Sequence, residues 1–242
     1  MLITTGIGSL PFESASEAVA YSLLHDVPFL PEIPKDIDMF QLIEKGKAAS
    51  LDIFKEKIKN LKVRTIKVQC TGPVSLMLYR GYKKEDAIKL VEDYLKNTLA
   101  DLREFKKLIF LDEPGVAKYG PGAVAIWERI FKNFDAVRCV HDCGEGSLDF
   151  LLENDIVEVI SYDASKYDVT SSPQYNTYRN RKVIAWGIQK YCDIKDFIDG
   201  DLITSPCGFM NFKLEDCYSF QSKISRIKLQ LEARKPTLVN LL

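Results

Sequence analysis

The chain has only two histidines among its 242 residues, His25 and His141, so any chemistry that needs an imidazole has few candidates. No apolar run approaches the ~20 residues of a membrane-spanning helix. No glycine-, serine- or proline-rich linker divides the chain and no internal repeat or low-complexity tract stands out, which predicts one domain over 1–242. An excess of either charge is also missing. Lys plus Arg number 33 and Asp plus Glu 34, so the net charge is −1, and nothing points to nucleic acid or an anionic membrane as partner. The opening run MLITTGIGSLPF has no basic leader and no small-residue cleavage site. The protein is therefore expected to be cytoplasmic, with its six cysteines reduced. A chain of this length buries a core without metal or disulfide staples. Any metal it binds is expected to serve chemistry.

What is present is an alternation. Short β-rich runs occur at 2–9, 27–33, 65–72, 108–114, 136–143, 157–164, 182–188 and 201–208. Several are nearly continuous in Val, Ile and Leu, as in parallel strands covered by helices on the outside. The segments 14–25, 38–59, 84–106, 121–133, 145–153 and 214–233 carry helical spacing. Eight strands alternating with helices predict an α/β fold, a minimal (β/α)8 TIM barrel in a single domain. A doubly wound open sheet is the alternative. The last two connections between strands are short, so their helices should be stunted.

Active sites of such barrels lie at the C-terminal ends of the strands. Those ends read Gly8-Ser9, Glu32, Thr71-Gly72-Pro73, Asp112-Glu113-Pro114, His141-Asp142-Cys143, Asp163, Trp186-Gly187 and Ser205-Pro206-Cys207-Gly208. Each run starts apolar and ends in functional side chains. His141 and Cys143, two apart on a strand, share a face. Imidazole and thiolate both suit zinc, although a lone His-x-Cys is more often a packed cysteine beside a hydrogen-bonded histidine. Cys207, between Pro206 and Gly208 on another strand end, favours the metal reading. Asp163 is the candidate fourth ligand. Asp112 and Glu113 suit a substrate ammonium or a catalytic base, or one of them caps the following turn. Gly8 with Ser9 suits a carboxylate. Trp186 either walls the pocket or packs in the core. Cys70 and Cys139 read as core, Cys217 as helical, and His25 as a surface residue.

Together the segments TTGIGSLPF, VQCTGPVSL, IFLDEPG, VHDCGEG, VISYDAS and ITSPCGF resemble the catalytic C-terminal barrel of cobalamin-independent methionine synthases. They do so in that family's order over almost the whole chain. The superfamily also holds uroporphyrinogen decarboxylase. The short single-barrel members are the most similar, sharing a PFxPxxPK stretch and an IAWGI strand. The resemblance implies zinc on His141, Cys143, Asp163 and Cys207, with Asp163 standing where the family usually has Glu. It implies that Ile7, Gly8, Ser9 and Asp112 hold the amino-acid end of a thiol substrate such as homocysteine. A Glu that contacts the ammonium in the family aligns with Gln41, and a folate-associated Trp aligns with Tyr79. The family's catalytic histidine has no counterpart in GIQKYCD, which offers Cys192.

The expectation is a zinc-dependent S-methyltransferase. Its methyl donor would be a methylcorrinoid on a partner protein, because a cobalt leaving group needs no proton. The alternatives are a zinc, thiol or corrinoid binding protein without turnover, and a decarboxylase-like lyase.

Overall fold

The computed structural model describes residues 1–34, 39–59 and 61–233. The expected helix start at Asp38 lies outside them. Seven strands form one parallel sheet: β1 (Ile3–Thr4), β2 (Thr65–Thr71), β3 (Lys106–Asp112), β4 (Val137–Asp142), β5 (Val159–Asp163), β6 (Val183–Gly187) and β7 (Leu202–Thr204). Their order is β1-β7-β6-β5-β4-β3-β2. The first strand lies beside the last, which is the mark of a curling TIM-like barrel. A doubly wound sheet would place it centrally.

The expected strand at 27–33 is the one that differs. It makes only two isolated parallel bridges, Ser9 with Glu32 and Phe29 with Lys67. Pro28 and Pro31 have no N–H to give a ladder. The segment nevertheless spans the gap between β1 and β2. Val27 N donates to Thr4 O (3.0 Å) and Glu32 N to Gly8 O (2.7 Å) on one side. On the other, Lys67 N donates to Pro28 O (2.8 Å) and Leu30 N to Lys67 O (2.9 Å).

Ten α-helices are described: α1 (Ala15–Ser22), α2 (Met39–Glu44), α3 (Leu51–Lys59), α4 (Pro73–Arg80), α5 (Lys84–Leu99), α6 (Val116–Tyr119), α7 (Ala123–Phe131), α8 (Asp149–Glu153), α9 (Tyr175–Tyr178) and α10 (Leu214–Ala233). The long α5 shows why they form. Ala87, Ile88, Val91, Tyr94, Leu95 and Thr98 recur at three- and four-residue spacing and are buried, while Glu85 and Asp86 sit in the first turn, where the helix dipole favours them. Between β5 and β6 the only α-helix is the four-residue α9, and between β6 and β7 there is only a 3-10 turn at Tyr191–Asp193.

Two faces of each strand make two cores. Outward-facing Ile66, Val68, Cys70, Ile109, Leu111, Val140, Ile160, Tyr162, Ile184 and Trp186 pack against the helices. Inward-facing Leu108, Phe110, Cys139, Val159, Ala185 and Leu202 fill the lower barrel. Toward the C-terminal ends the same inward rows turn polar. Thr71 pairs in register with Asp112, Asp112 with His141, and His141 with Ser161. The apolar plug below and the polar row above define where a site can be.

Candidate functional site

A cavity of about 200 Å³ opens at this end of the barrel, lined by Ile7, Ser9, Phe40, Thr71, Asp112, Pro114, His141, Cys143, Cys207 and Gly208. Three strand ends supply its reactive groups: β3 brings Asp112, β4 brings His141 and Cys143, and the turn after β7 brings Cys207. The two sulfurs are 3.6 Å apart. Two Zn–S bonds of ~2.3 Å at a tetrahedral angle span roughly 3.8 Å. His141 holds its Nδ1 2.9 Å from Ser161 Oγ. Its Nε2 is buried and has no hydrogen-bond partner among the described residues. A zinc-binding histidine is arranged in this way, with one ring nitrogen fixed by a neighbour and the other left free.

Contact with Cys143, and next with His141, holds the Cys207 thiol well below the ordinary thiol range. The same contact pushes Cys143 up. Two sulfurs brought together beside an imidazole make a metal-binding or nucleophilic arrangement. The donor types suit zinc, and the two sulfurs are about as far apart as two thiolates on one zinc. Among the described residues, however, no group of three His, Cys, Asp or Glu side chains is placed so that it could hold a metal ion.

The segment after β4 is held by Asp142, whose Oδ1 accepts from Gly115 N (3.1 Å) and Gly144 N (2.6 Å). Asp142 thus ties the turn that carries Cys143 to the start of α6. The Asp112-Glu113 pair divides its work. Glu113 is buried and takes four donors: Val74 N (3.1 Å), Ser75 N (2.7 Å), Ser75 Oγ (2.8 Å) and Trp127 Nε1 (2.9 Å). It caps the first turn of α4, whose N-cap Gly72 has no side chain to offer. The close approach needs that glycine, because a Cβ there would lie 2.2 Å from the Glu113 carboxyl carbon. Asp112 faces the cavity, and its Oδ1 is buried without a partner among the described residues.

Sequence reasoning missed the layer underneath. Lys67 is fully buried inside the barrel, and its Nζ donates to Gly6 O (2.6 Å) and Gln69 Oε1 (2.6 Å). That ammonium lies 4.2 Å from the centre of the Phe110 ring. Gln69 Oε1 also accepts from Gly8 N (2.7 Å), and its Nε2 donates to Asp112 Oδ2 (2.8 Å) and Glu32 Oε2 (3.2 Å). One amide therefore links the Gly8 loop to two carboxylates. Burial pushes both acids up, and each lies in the field of Lys67, which opposes the rise. The signal was present in TIKVQCT, where polar and apolar residues alternate along the whole strand.

Ile7, Ser9, Asp112, His141, Cys143 and Cys207 line this one cavity. Gly8 borders it through its bond to Gln69. The remaining candidates lie elsewhere. Asp163 lines a neighbouring cavity, its Oδ1 taken by Ser165 N (3.0 Å) and Ser165 Oγ (2.6 Å) and its Oδ2 3.5 Å from Lys166 Nζ. The carboxylate is thus engaged by its own Asp-Ala-Ser turn and does not line the cavity that holds His141 and Cys143. Trp186 faces outward from β6, fully buried beside Tyr162, with Nε1 donating to Asp201 Oδ2 (3.1 Å). It packs in the core and does not wall the cavity. Gln41 lies on α2, exposed, next to the lining residue Phe40 but not itself in the lining. His25 is buried at 6% exposure, not on the surface, packed against Tyr21 and Phe29.

Fold and site together define a barrel with a thiol-, imidazole- and carboxylate-lined mouth. No protein-family model matches the sequence, and no curated protein matches it. The motif resemblance to methionine synthases thus has no family-level match behind it. Among solved structures, the chain is similar to the apo form of 3-keto-D-glucoside 4-epimerase, YcjR, from E. coli. The TM-score is 0.57 at 12% identity, over 95% of this chain and 100% of that one. It is also similar to a methyltransferase from Methanosarcina mazei, with a TM-score of 0.52 at 12% identity, over 81% of this chain and 66% of that one. At such identity the likeness defines the fold: an α/β barrel of TIM type. No helix among the described residues is long and apolar enough to cross a membrane.

Proposed function

We propose that this protein is an enzyme, a zinc-dependent S-methyltransferase acting on a small thiol that carries an amino-acid end, homocysteine or a close analogue. The observation that carries this reading is the convergence on one cavity of the partnerless His141 Nε2, the Cys143 and Cys207 sulfurs, and the partnerless Asp112 Oδ1. His141, Cys143 and Cys207 would hold zinc. Three protein ligands leave a position for substrate, as catalytic sites require. With Asp163 occupied by its own turn, no fourth protein ligand is called for.

Zinc bound there would keep a substrate thiol ionised at neutral pH. The rest falls to the chain's own residues. Ser161 fixes the ring of His141. Asp112, steadied by Gln69, offers its free oxygen to the substrate ammonium. Ser9 and the adjoining backbone hold the carboxylate. Ile7, Phe40 and Pro114 exclude water around the sulfur. The thiolate sulfur forms the new S–CH3 bond, and the donor departs with the electron pair of the bond that breaks. A methylcorrinoid on a partner protein suits a site whose one lining carboxylate, Asp112, is engaged with the substrate ammonium. That both fold neighbours are named as enzymes, one of them a methyltransferase, agrees with this reading.

The test is elemental analysis of wild type and Cys207→Ala, followed by titration of the zinc-loaded protein with homocysteine. Stoichiometric zinc that is lost in the variant, together with thiol binding that requires the metal, supports the proposal. A wild type that refuses zinc overturns it. Zinc and thiol binding without methyl transfer from methylcobalamin would leave a binding protein.

A further inference from the structure

Beside the thiol-lined mouth lies a second, larger cavity of about 540 Å³, within the range of small-molecule sites. The two share Cys207 and Gly208. A molecule in the outer cavity therefore meets the Cys207 turn from the side opposite the small one. The outer cavity is framed by the strand ends of β5, β6 and β7 and by α10.

Its walls have a definite chemistry. Phe209 packs edge-on against Phe212, with ring centres 5.5 Å apart at 81°, and against Phe220 at 5.3 Å. Phe212 is 56% exposed, a large aromatic face turned to the opening. Two ammonium groups share the lining with these rings. Lys166 donates to Cys143 O (3.0 Å) and lies 3.5 Å from Asp163, whose carboxylate it neutralises. Lys223 donates to the carbonyl of Gln189 (3.2 Å) and makes no ion pair among the described residues. Asp163, the one carboxylate in the lining, is paired with Lys166, which leaves Lys223 as the cation without an ion pair among the described residues. An aromatic wall facing an uncompensated cation selects a flat apolar body bearing one negative charge.

We propose that this outer cavity is a binding site for a second small molecule, a planar aromatic or conjugated monoanion, with its ring against Phe212 and Phe209 and its charge at Lys223. The site places that molecule against Cys207. The inference goes beyond the thiol chemistry and does not depend on zinc.

The experiment is calorimetric titration of the purified protein, both zinc-loaded and metal-free, with 2-naphthoate, its neutral analogue 2-naphthalenemethanol and its cationic analogue 2-naphthylmethylamine. The expected order is naphthoate tightest, the alcohol about tenfold weaker and the amine weaker still, the scale of one charge-assisted contact. Lys223→Met should remove the preference for the anion while leaving the alcohol unchanged. Phe212→Ala should weaken both. Lys223 and Phe212 are not buried, and melting curves matching wild type will show that the variants fold. In the metal-free protein, bound naphthoate should slow alkylation of Cys207 by iodoacetamide. Equal affinity for all three compounds, no binding at all, or anion binding indifferent to Lys223→Met would overturn the assignment. Because these readouts need neither metal nor thiol substrate, a failure of the methyltransferase reading leaves them unaffected.

Discussion

Gly208 lies so close to Ser9 that a Cβ on it would stand 1.8 Å from Ser9 Oγ and 2.9 Å from Ser9 O. The next residue cements the contact, since Phe209 N donates to Ser9 O at 2.6 Å. The turn that delivers Cys207 is thus pressed against the loop that delivers Ile7 and Ser9. Gly208→Ala should push these loops apart and cost about 1–3 kcal/mol, the usual scale of overpacking. Urea unfolding reads this directly. Adding Ser9→Gly should recover only part of the loss, because the hydroxyl leaves but the carbonyl stays. Wild-type stability in the single variant would mean that the loops are not tied to each other.

Lys67 is a cation sealed inside the barrel below two carboxylates. Burial lowers its own pKa to about 8, with Asp112 and Glu32 opposing the fall. Lys67→Met keeps the volume of the stem but strands both acids in a low-dielectric interior. Removing one partner of a buried charge cluster costs roughly 3–5 kcal/mol. That loss should narrow as the pH falls, first near 8, where Glu32 takes up a proton, and then near 6, where Asp112 does, because a neutral acid no longer needs the ammonium. A deficit that does not change with pH would show that packing, and not charge, is what Lys67 supplies.

That same residue shows where the sequence was legible and where it was not. The ring of polar strand ends could be read because each run passes from apolar to functional in one direction, and Asp112, His141, Cys143 and Cys207 do meet at one cavity. Lys67 and Gln69 were hidden in mid-strand, where polar residues are read as solvent-facing. In a barrel the alternate face is the interior. The same parity decides between the two readings of Trp186 in favour of the core. Neighbouring Ala185 and Gly187 carry the inward face, which leaves the indole outside. Asp163 bonds to Ser165, two residues on, a local turn that the strand-end pattern alone does not reveal. The 27–33 run has the apolar character of a strand, but Pro28 and Pro31 deny it the ladder.

Glu113 is best tested by its isostere. Each of its oxygens accepts from two donors, and of these only the Ser75 hydroxyl can turn to accept from an amide N–H. Burial nevertheless pushes its carboxyl up to about 7, against the pull of those donors. Glu113→Gln does best with its NH2 group toward Ser75, where the hydroxyl can accept but the Ser75 N–H is left unpaired. A loss of about 1–3 kcal/mol is expected, the cost of one unpaired buried donor. Amide exchange at Val74 and Ser75 should rise with it, because these are the N–H groups that the carboxylate caps. Full stability in the variant would mean that the α4 terminus finds other acceptors.

His25 gives the protein a pH dependence with a definite sign. It is buried between Tyr21 and Phe29, with Nδ1 3.2 Å from Ser22 O, and burial lowers its pKa to about 4 from an ordinary 6.5. The backbone carbonyls and Asp26 work against that fall, and Lys67 adds slightly to it. The unfolded chain therefore binds a proton between pH 6.5 and 4 that the native state refuses. The stability contributed by the neutral ring is whole above 6.5 and is lost as pH falls toward 4, at about 1.4 kcal/mol for each step of one in pH. Between pH 7.5 and 5 the loss is roughly 2 kcal/mol. Buried acids with raised pKa values, such as Glu32 and Glu113, act in the opposite direction over the same range, so the informative quantity is a difference between two proteins. His25→Phe preserves a ring in the aromatic cluster and removes the titration. Its urea midpoint, compared with wild type at each pH, should gain by that amount on acidification. Parallel curves for the two proteins would show that His25 stays neutral, or becomes charged, equally in both states.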